Sequence, residues 1–216
     1  MDDLFSDRDE GSWTAALPPD VSRTPDTVYF AFKPGPHTGD ELVAAGNHLR
    51  ARHRLTGRVS PALLHMTICP IGQIPGLTEA CITSACKIAG RVTAKPFEIV
   101  LDRVRTYANR QQKAPLVILG SGRVPAVELF RRCLIADLRR GGFIIPQRQP
   151  DLHVTLFYDR GKVAEEPIDP IRWAICDFTL VRSVYGEGRH VELGRWSLSS
   201  GDGPINQFSA AGPSGS

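Results

Sequence analysis

One tripeptide pattern occurs twice in this chain, His65-Met66-Thr67 and His153-Val154-Thr155, each time inside an apolar run. The runs are Leu63 to Ile68 and Leu152 to Phe157. If each is a β-strand, its side chains alternate between two faces, so His65 and Thr67 share one face and Leu64, Met66 and Ile68 the other. The second copy keeps the same phase, with His153, Thr155 and Phe157 opposed to Leu152, Val154 and Leu156. Each strand then offers an imidazole and a hydroxyl about 7 Å apart at their Cα atoms, with its opposite face free to enter a core. Two such strands facing one another would bring two histidines and two threonines to one pocket, a set suited to acid–base chemistry on an anionic group.

A single His-x-Thr in a strand is commonplace, because Thr favours strands and a half-exposed polar position needs no function. The shared setting of the two copies carries the argument. Both have Leu directly before the His, a Pro upstream (Pro61 and Pro150) and an aliphatic residue after the Thr, whereas His37, His48, His53 and His190 lie in unrelated contexts.

The paired motifs, separated by 88 positions in a chain of 216, resemble the 2H phosphoesterase superfamily, in particular its bacterial RNA 2′,3′-cyclic phosphodiesterases or 2′-5′ RNA ligases. The resemblance runs from Thr27 to about Leu198. It includes the opening run Val28-Tyr29-Phe30-Ala31-Phe32 before Pro34, Asp159-Arg160 after the second motif, Ile171-Arg172-Trp173, and Gly194-Arg195-Trp196-Ser197-Leu198. Members of this family often carry an aromatic five residues after the first His and an Arg five residues after the second. This chain has Pro70 and Tyr158 there.

The resemblance implies a metal-independent enzyme, without cofactor, that opens the 2′,3′-cyclic phosphate of RNA ends or small nucleotides to a phosphomonoester, with 2′-5′ RNA ligation as the reverse direction. His65 and His153 are the expected acid–base pair, since an imidazole near pH 6.5 serves in either protonation state. Thr67 and Thr155 are expected to donate hydrogen bonds to the non-bridging oxygens. Arg160 and the Tyr158 hydroxyl are the expected substrate-binding groups, although strict alternation sets Tyr158 on the face opposite His153. No metal site is expected, because neither motif His has a carboxylate or a second His at ligand spacing. A nucleotide- or RNA-binding module that keeps the pocket with little turnover is the alternative.

Composition is that of an ordinary globular protein, 42% hydrophobic and 23% charged. The start Met1-Asp2-Asp3-Leu4 lacks the basic, apolar pattern of a secretory signal, and no run is long enough for a membrane span. The five cysteines are an odd number without framework spacing, so reduced thiols and a cytoplasmic setting are expected; the protein is also expected to be a monomer. Net charge is +3, and 21 of the 26 basic residues are Arg; with no dense basic run, a nucleotide or a short RNA end suffices as partner.

Apolar periodicity predicts strand 28–33, helix 40–54, strand 63–69, helix 77–90, strand 96–106, strand 115–119, helix 125–140, strand 152–158, strand 172–184 and strand 190–197. Adjacent strands without intervening helices make the class α+β. The arrangement before the first motif is echoed before the second, which suggests two lobes. The resemblance implies a bilobal, pseudo-two-fold fold with antiparallel-rich sheets flanked by helices around a central cleft. Segments 1–26 and 199–216, rich in polar residues, Gly and Pro, read as tails around a domain at 27–198. Gly120-Ser121-Gly122 stands where a phosphate loop would, but lacks a third glycine and reads as a turn.

Overall fold

The computed structural model describes residues 25–107, 112–147, 149 and 151–199. Apart from Pro25, Asp26 and Ser199, the expected tails lie outside the described residues, as does Pro150. The elements are β1 (Asp26–Phe32), α1 (Pro36–Arg52), a 3-10 turn (Pro61–Leu63), β2 (Met66–Ile74), α2 (Glu79–Ala89), β3 (Phe97–Thr106), β4 (Ala114–Leu119), α3 (Pro125–Arg140), β5 (His153–Asp159), β6 (Glu166–Ile175), β7 (Asp177–Val184) and β8 (Arg189–Ser197). The fold is α+β: one curled antiparallel sheet in the order β6-β3-β4-β5-β2-β1-β7-β8, with flanking helices.

The two motif strands, one in each four-strand half, are neighbours at the middle of this sheet and lie side by side, where the sequence suggested that they face one another. Met66 pairs with Val154, so the central residues of the two tripeptides are partners. That is the only β2–β5 bridge among the described residues, and on either side of it lie four-strand halves, β6-β3-β4-β5 and β2-β1-β7-β8. β6 and β7 are separated by Cys176 alone yet stand at positions far apart in the strand order. The chain makes that step because the sheet curls back on itself. The expected single strand 172–184 is therefore two strands.

Local chemistry explains the other differences. α1 begins at Pro36 rather than residue 40, because a proline at the first helical position has its φ already set and its missing N–H is not needed there. Its buried residues, Thr38, Leu42, Gly46 and Leu49, recur at helical spacing. α3 matches its expected bounds and buries Val127, Phe130, Leu134, Ile135 and Leu138. It ends at Gly141, and Gly142 follows with φ of 91°, a conformation that favours glycine. The first motif strand starts later and runs longer than expected, continuing through Pro70. A proline is tolerated inside a strand where the ladder is already interrupted, and register shifts in the β1–β2 pairing lie on both sides of the Tyr29–Pro70 pair. The Gly120-Ser121-Gly122 segment is a turn: the Ser121 amide and hydroxyl donate to Asp102 at 2.7 and 2.6 Å, so a carboxylate of the chain takes the place a phosphate would have.

Candidate active site

Alternation holds through both motifs. Met66 and Val154 are wholly buried in the core, while His65, Thr67, His153 and Thr155 are half-buried on the opposite face. Extended by one residue either way, the Met66–Val154 register sets His65 beside Thr155 and Thr67 beside His153. The two histidines are then diagonal neighbours, with Cα atoms about 7–8 Å apart. Two imidazoles so placed can flank a single phosphate. Neither Thr hydroxyl has a hydrogen-bond partner among the described residues.

The histidines are held alike. His65 Nδ1 donates to the Leu63 carbonyl at 2.7 Å, and His153 Nδ1 donates to the Asp151 carbonyl at 2.7 Å. In each case the bond reaches back two residues and fixes the hydrogen on Nδ1, which leaves Nε2 for chemistry.

Their surroundings differ. His65 stacks on Tyr29 with ring centroids 5.0 Å apart and meets the edge of His190 at 4.9 Å. His153 meets the edge of Tyr107 at 5.0 Å, and the Arg105 guanidinium lies 4.8 Å from the Tyr107 ring centre. Arg105 also reaches Glu165 at 3.2 Å and Asp151 at 3.7 Å. Burial pushes the His65 imidazole down to about 4; the Leu63 carbonyl opposes this, and the charges of His153 and Lys33 reinforce it. Burial also lowers His153, against the pull of the Asp151 carbonyl and carboxylate and with the push of Arg105 and Arg131. Tyr29, Arg105, Tyr107 and His190 were not singled out from sequence. Their only signal is strand alternation, which cannot say which neighbours a face will meet.

Tyr158 is on the same side as the histidines, contrary to strict alternation. Between the Leu116–Phe157 and Val117–Thr155 pairs the register skips Leu156, a β-bulge, and Leu156 and Phe157 both turn into the core. Tyr158 is thereby returned to the motif face, 55% exposed. The first motif does the same: between Phe30–Cys69 and Ala31–Thr67 the register skips Ile68, and Ile68 and Cys69 are both buried. Pro70 and Tyr158, each five residues after its His, thus occupy matching places in the two halves.

Arg160 is exposed and donates to Gln112 at 3.2 Å, and no contact joins it to either histidine among the described residues. Its neighbour Asp159 is a structural anchor, 5% exposed. It accepts from the Thr56 amide and hydroxyl at 2.6 and 2.9 Å, from the Gly57 amide at 2.7 Å and from the Gly161 amide at 2.8 Å. Burial alone would raise this carboxyl, but the hydrogen bonds outweigh it and hold the group down at about 2. The segment leading to the first motif is thereby tied to the end of the strand carrying the second. Among the described residues no cluster of three or more His, Cys, Asp or Glu side chains is arranged to hold a metal ion, and no helix is long and apolar enough to cross a membrane.

Residues 33–117 match the family described as LigT like Phosphoesterase. No curated protein matches the chain. Among solved structures, E. coli LigT complexed with 3′-AMP superposes with a TM-score of 0.62 at 24% identity, covering 82% of this chain and 99% of that one. A crystal structure of a phosphoesterase gives 0.63 at 24% identity, covering 81% and 99%. The Thermus thermophilus protein TT0787 gives 0.63 at 18% identity, covering 80% and 97%. The family match spans the segment that carries the first motif, and the likeness to these solved structures, over nearly their whole length, shows that the chain shares the fold of LigT.

Proposed function

We propose that this protein is a metal-independent phosphodiesterase that opens 2′,3′-cyclic phosphates of RNA ends or small nucleotides, acting as a cytoplasmic monomer, with 2′-5′ RNA ligation when an RNA 5′-hydroxyl takes the place of water. The observation that carries this reading is the pairing of two His-x-Thr motifs at Met66 and Val154, with each imidazole tied through Nδ1 to the carbonyl two residues before it. One Nε2 takes a proton from water as the water oxygen bonds to phosphorus. The other gives a proton to the ribose oxygen as its bond to phosphorus breaks, leaving a phosphomonoester and a free hydroxyl. Thr67 and Thr155 donate to the non-bridging oxygens, where charge grows in the transition state. Tyr158 packs against the nucleoside, and Arg160 at the rim meets the phosphates of a longer RNA.

The E. coli LigT structures with 3′-AMP, NADP+ and ATP support a nucleotide as the ligand class. The test is to incubate the protein, with chelator present, with nucleoside 2′,3′-cyclic monophosphates and with an RNA oligomer ending in a cyclic phosphate. Appearance of the phosphomonoester is expected. Tight nucleotide binding without any opened product would replace this reading by that of a binding module.

A further inference from the structure

His190 lies far from both motifs in sequence, and the strand registers bring it to them. Thr27 pairs with Ser183 and Ser183 with His190, so the three share one row across β1, β7 and β8. In that row His190 stands on the face that carries Tyr29. Its Nε2 is 3.0 Å from the Tyr29 hydroxyl, and its ring meets Tyr29 edge-on at 6.1 Å. Tyr29 in turn stacks on His65 with the ring planes 25° apart, and His190 meets His65 at 83°. The three rings form a closed set, each touching the other two.

This set is built to stay uncharged. His190 Nδ1 is buried with no hydrogen-bond partner among the described residues. A second proton would put an unsatisfied N–H there, so the neutral ring with its hydrogen on Nε2, donated to the Tyr29 oxygen, is the form that fits. The titratable and charged groups around the set are Tyr29 on β1, Lys33 just beyond it, His153 and Tyr158 on β5, and Glu192 and Arg195 on β8. The Glu192 carboxylate is taken by Arg195 at 2.6 and 3.0 Å. No carboxylate hydrogen-bonds to His65 or His190 among the described residues, whereas His153 has Asp151 beside it.

We propose that His190 is a positioning residue for His65: bonded to Tyr29, it completes an uncharged two-ring clamp that fixes the imidazole in one orientation without a counter-ion. His65 is then the proton acceptor of the pair, and His153 the donor. The Nδ1–Leu63 bond fixes the tautomer; the clamp fixes the swing of the ring, on which the alignment of Nε2 with the attacking water depends. This assignment rests on the acid–base reading above, but the clamp itself can be measured without turnover.

The test uses His190→Phe, which keeps a ring and loses the hydrogen bond; His190→Gln, whose amide can restore it; and Tyr29→Phe, which removes only the hydroxyl. Turnover of a nucleoside 2′,3′-cyclic monophosphate and side-chain nitrogen NMR of His65 are read on each. His190→Phe should lower kcat about tenfold or more with KM within about twofold, and His190→Gln should recover most of it. In the wild type His65 should remain a single Nδ1–H tautomer, neutral well below pH 6. In His190→Phe and Tyr29→Phe the freed ring should swing away from the Leu63 carbonyl, and His65 should then show mixed tautomers or a raised titration. His65 resonances unmoved in both variants would overturn the proposal, whatever the kinetics, as would wild-type kcat in His190→Phe. Should His190→Phe fail to fold, the Tyr29→Phe spectrum decides. A wild-type protein that opens no cyclic phosphate would sink the functional reading, and the NMR comparison would still decide whether the clamp exists.

Discussion

The two histidines have the same local tether and different company, and the pH dependence should show it. Both imidazoles are lowered by burial, His65 to about 4. In the free protein the proton acceptor is therefore ready over most of the accessible range, and the donor loses its proton at a pH below the ordinary His value of about 6.5. The profile of kcat/KM should be a bell on the acid side of neutrality, falling as pH rises through the His153 ionisation. A bound phosphate favours the imidazolium, so the upper limb of kcat should lie at higher pH than that of kcat/KM. A profile flat across this range would reject the paired mechanism. His65→Ala and His153→Ala should each abolish hydrolysis and leave the far-UV circular dichroism unchanged, because both side chains lie outside the main core. Thr67→Ala and Thr155→Ala should each remove about 2–4 kcal/mol of transition-state stabilisation, roughly 30- to 1000-fold in kcat. Wild-type rates from either would remove the threonines from the mechanism.

At the scale of the elements, the paired β-bulges decide what joins the histidines. The skipped residues Ile68 and Leu156 shift the phase of β2 and β5, so the fifth residue after each His returns to the motif face. Tyr158 is half-exposed there, and Tyr158→Ala should raise KM for a cyclic nucleotide while leaving the urea midpoint within experimental error. The second bulge is braced from outside the strand. A Cβ at Gly57 would lie 2.2 Å from the Phe157 ring and 2.9 Å from the Tyr158 carbonyl, and the carbonyl, being backbone, cannot rotate away. Gly57→Ala should therefore cost on the order of 2–3 kcal/mol, read as a lower urea midpoint, and should disturb Tyr158 along with it. A substitution without effect on either would mean that this contact does not shape the bulge.

For the whole molecule, acid stability follows from groups held away from their ordinary ionisation. The unfolded chain takes up protons at His65 and His190 from about pH 6.5 downward, while the folded chain refuses them until about 4. Folding stability should thus fall as pH drops through that window. Asp159 acts lower. Its folded value of about 2 lies below the ordinary 3.8, so its contribution is complete above pH 3.8 and is lost only as pH falls toward 2. At neutral pH, Asp159→Ala leaves the Thr56, Gly57 and Gly161 amides without their acceptor and should cost about 3 kcal/mol. A urea titration of this variant checks that loss. An unchanged midpoint would mean that water replaces the carboxylate freely and that the tie between the two motif segments is dispensable.

The sequence alone determined what depends on residue type and short-range period. The doubled His-x-Thr, the alternation within each tripeptide, the α+β class, helix α3 and its glycine stop are all written in a few consecutive side chains, and each is found in the structure, whereas Phe157, expected on the motif face, is in the core. Tertiary structure decided what depends on register. Whether the motif strands face each other or lie side by side is settled by pairing between residues 88 positions apart, and the structure joins them at Met66 and Val154. A bulge leaves no mark in a period-two pattern when both of its residues are apolar, as at Ile68-Cys69 and Leu156-Phe157, so Tyr158 appeared to face the wrong way. Tyr29 reaches His65 through one strand pairing, Arg105 and Tyr107 come to the His153 side through two, and His190 reaches His65 through three. No local pattern encodes those, because which face meets which neighbour is fixed by how the whole sheet curls to bury its core.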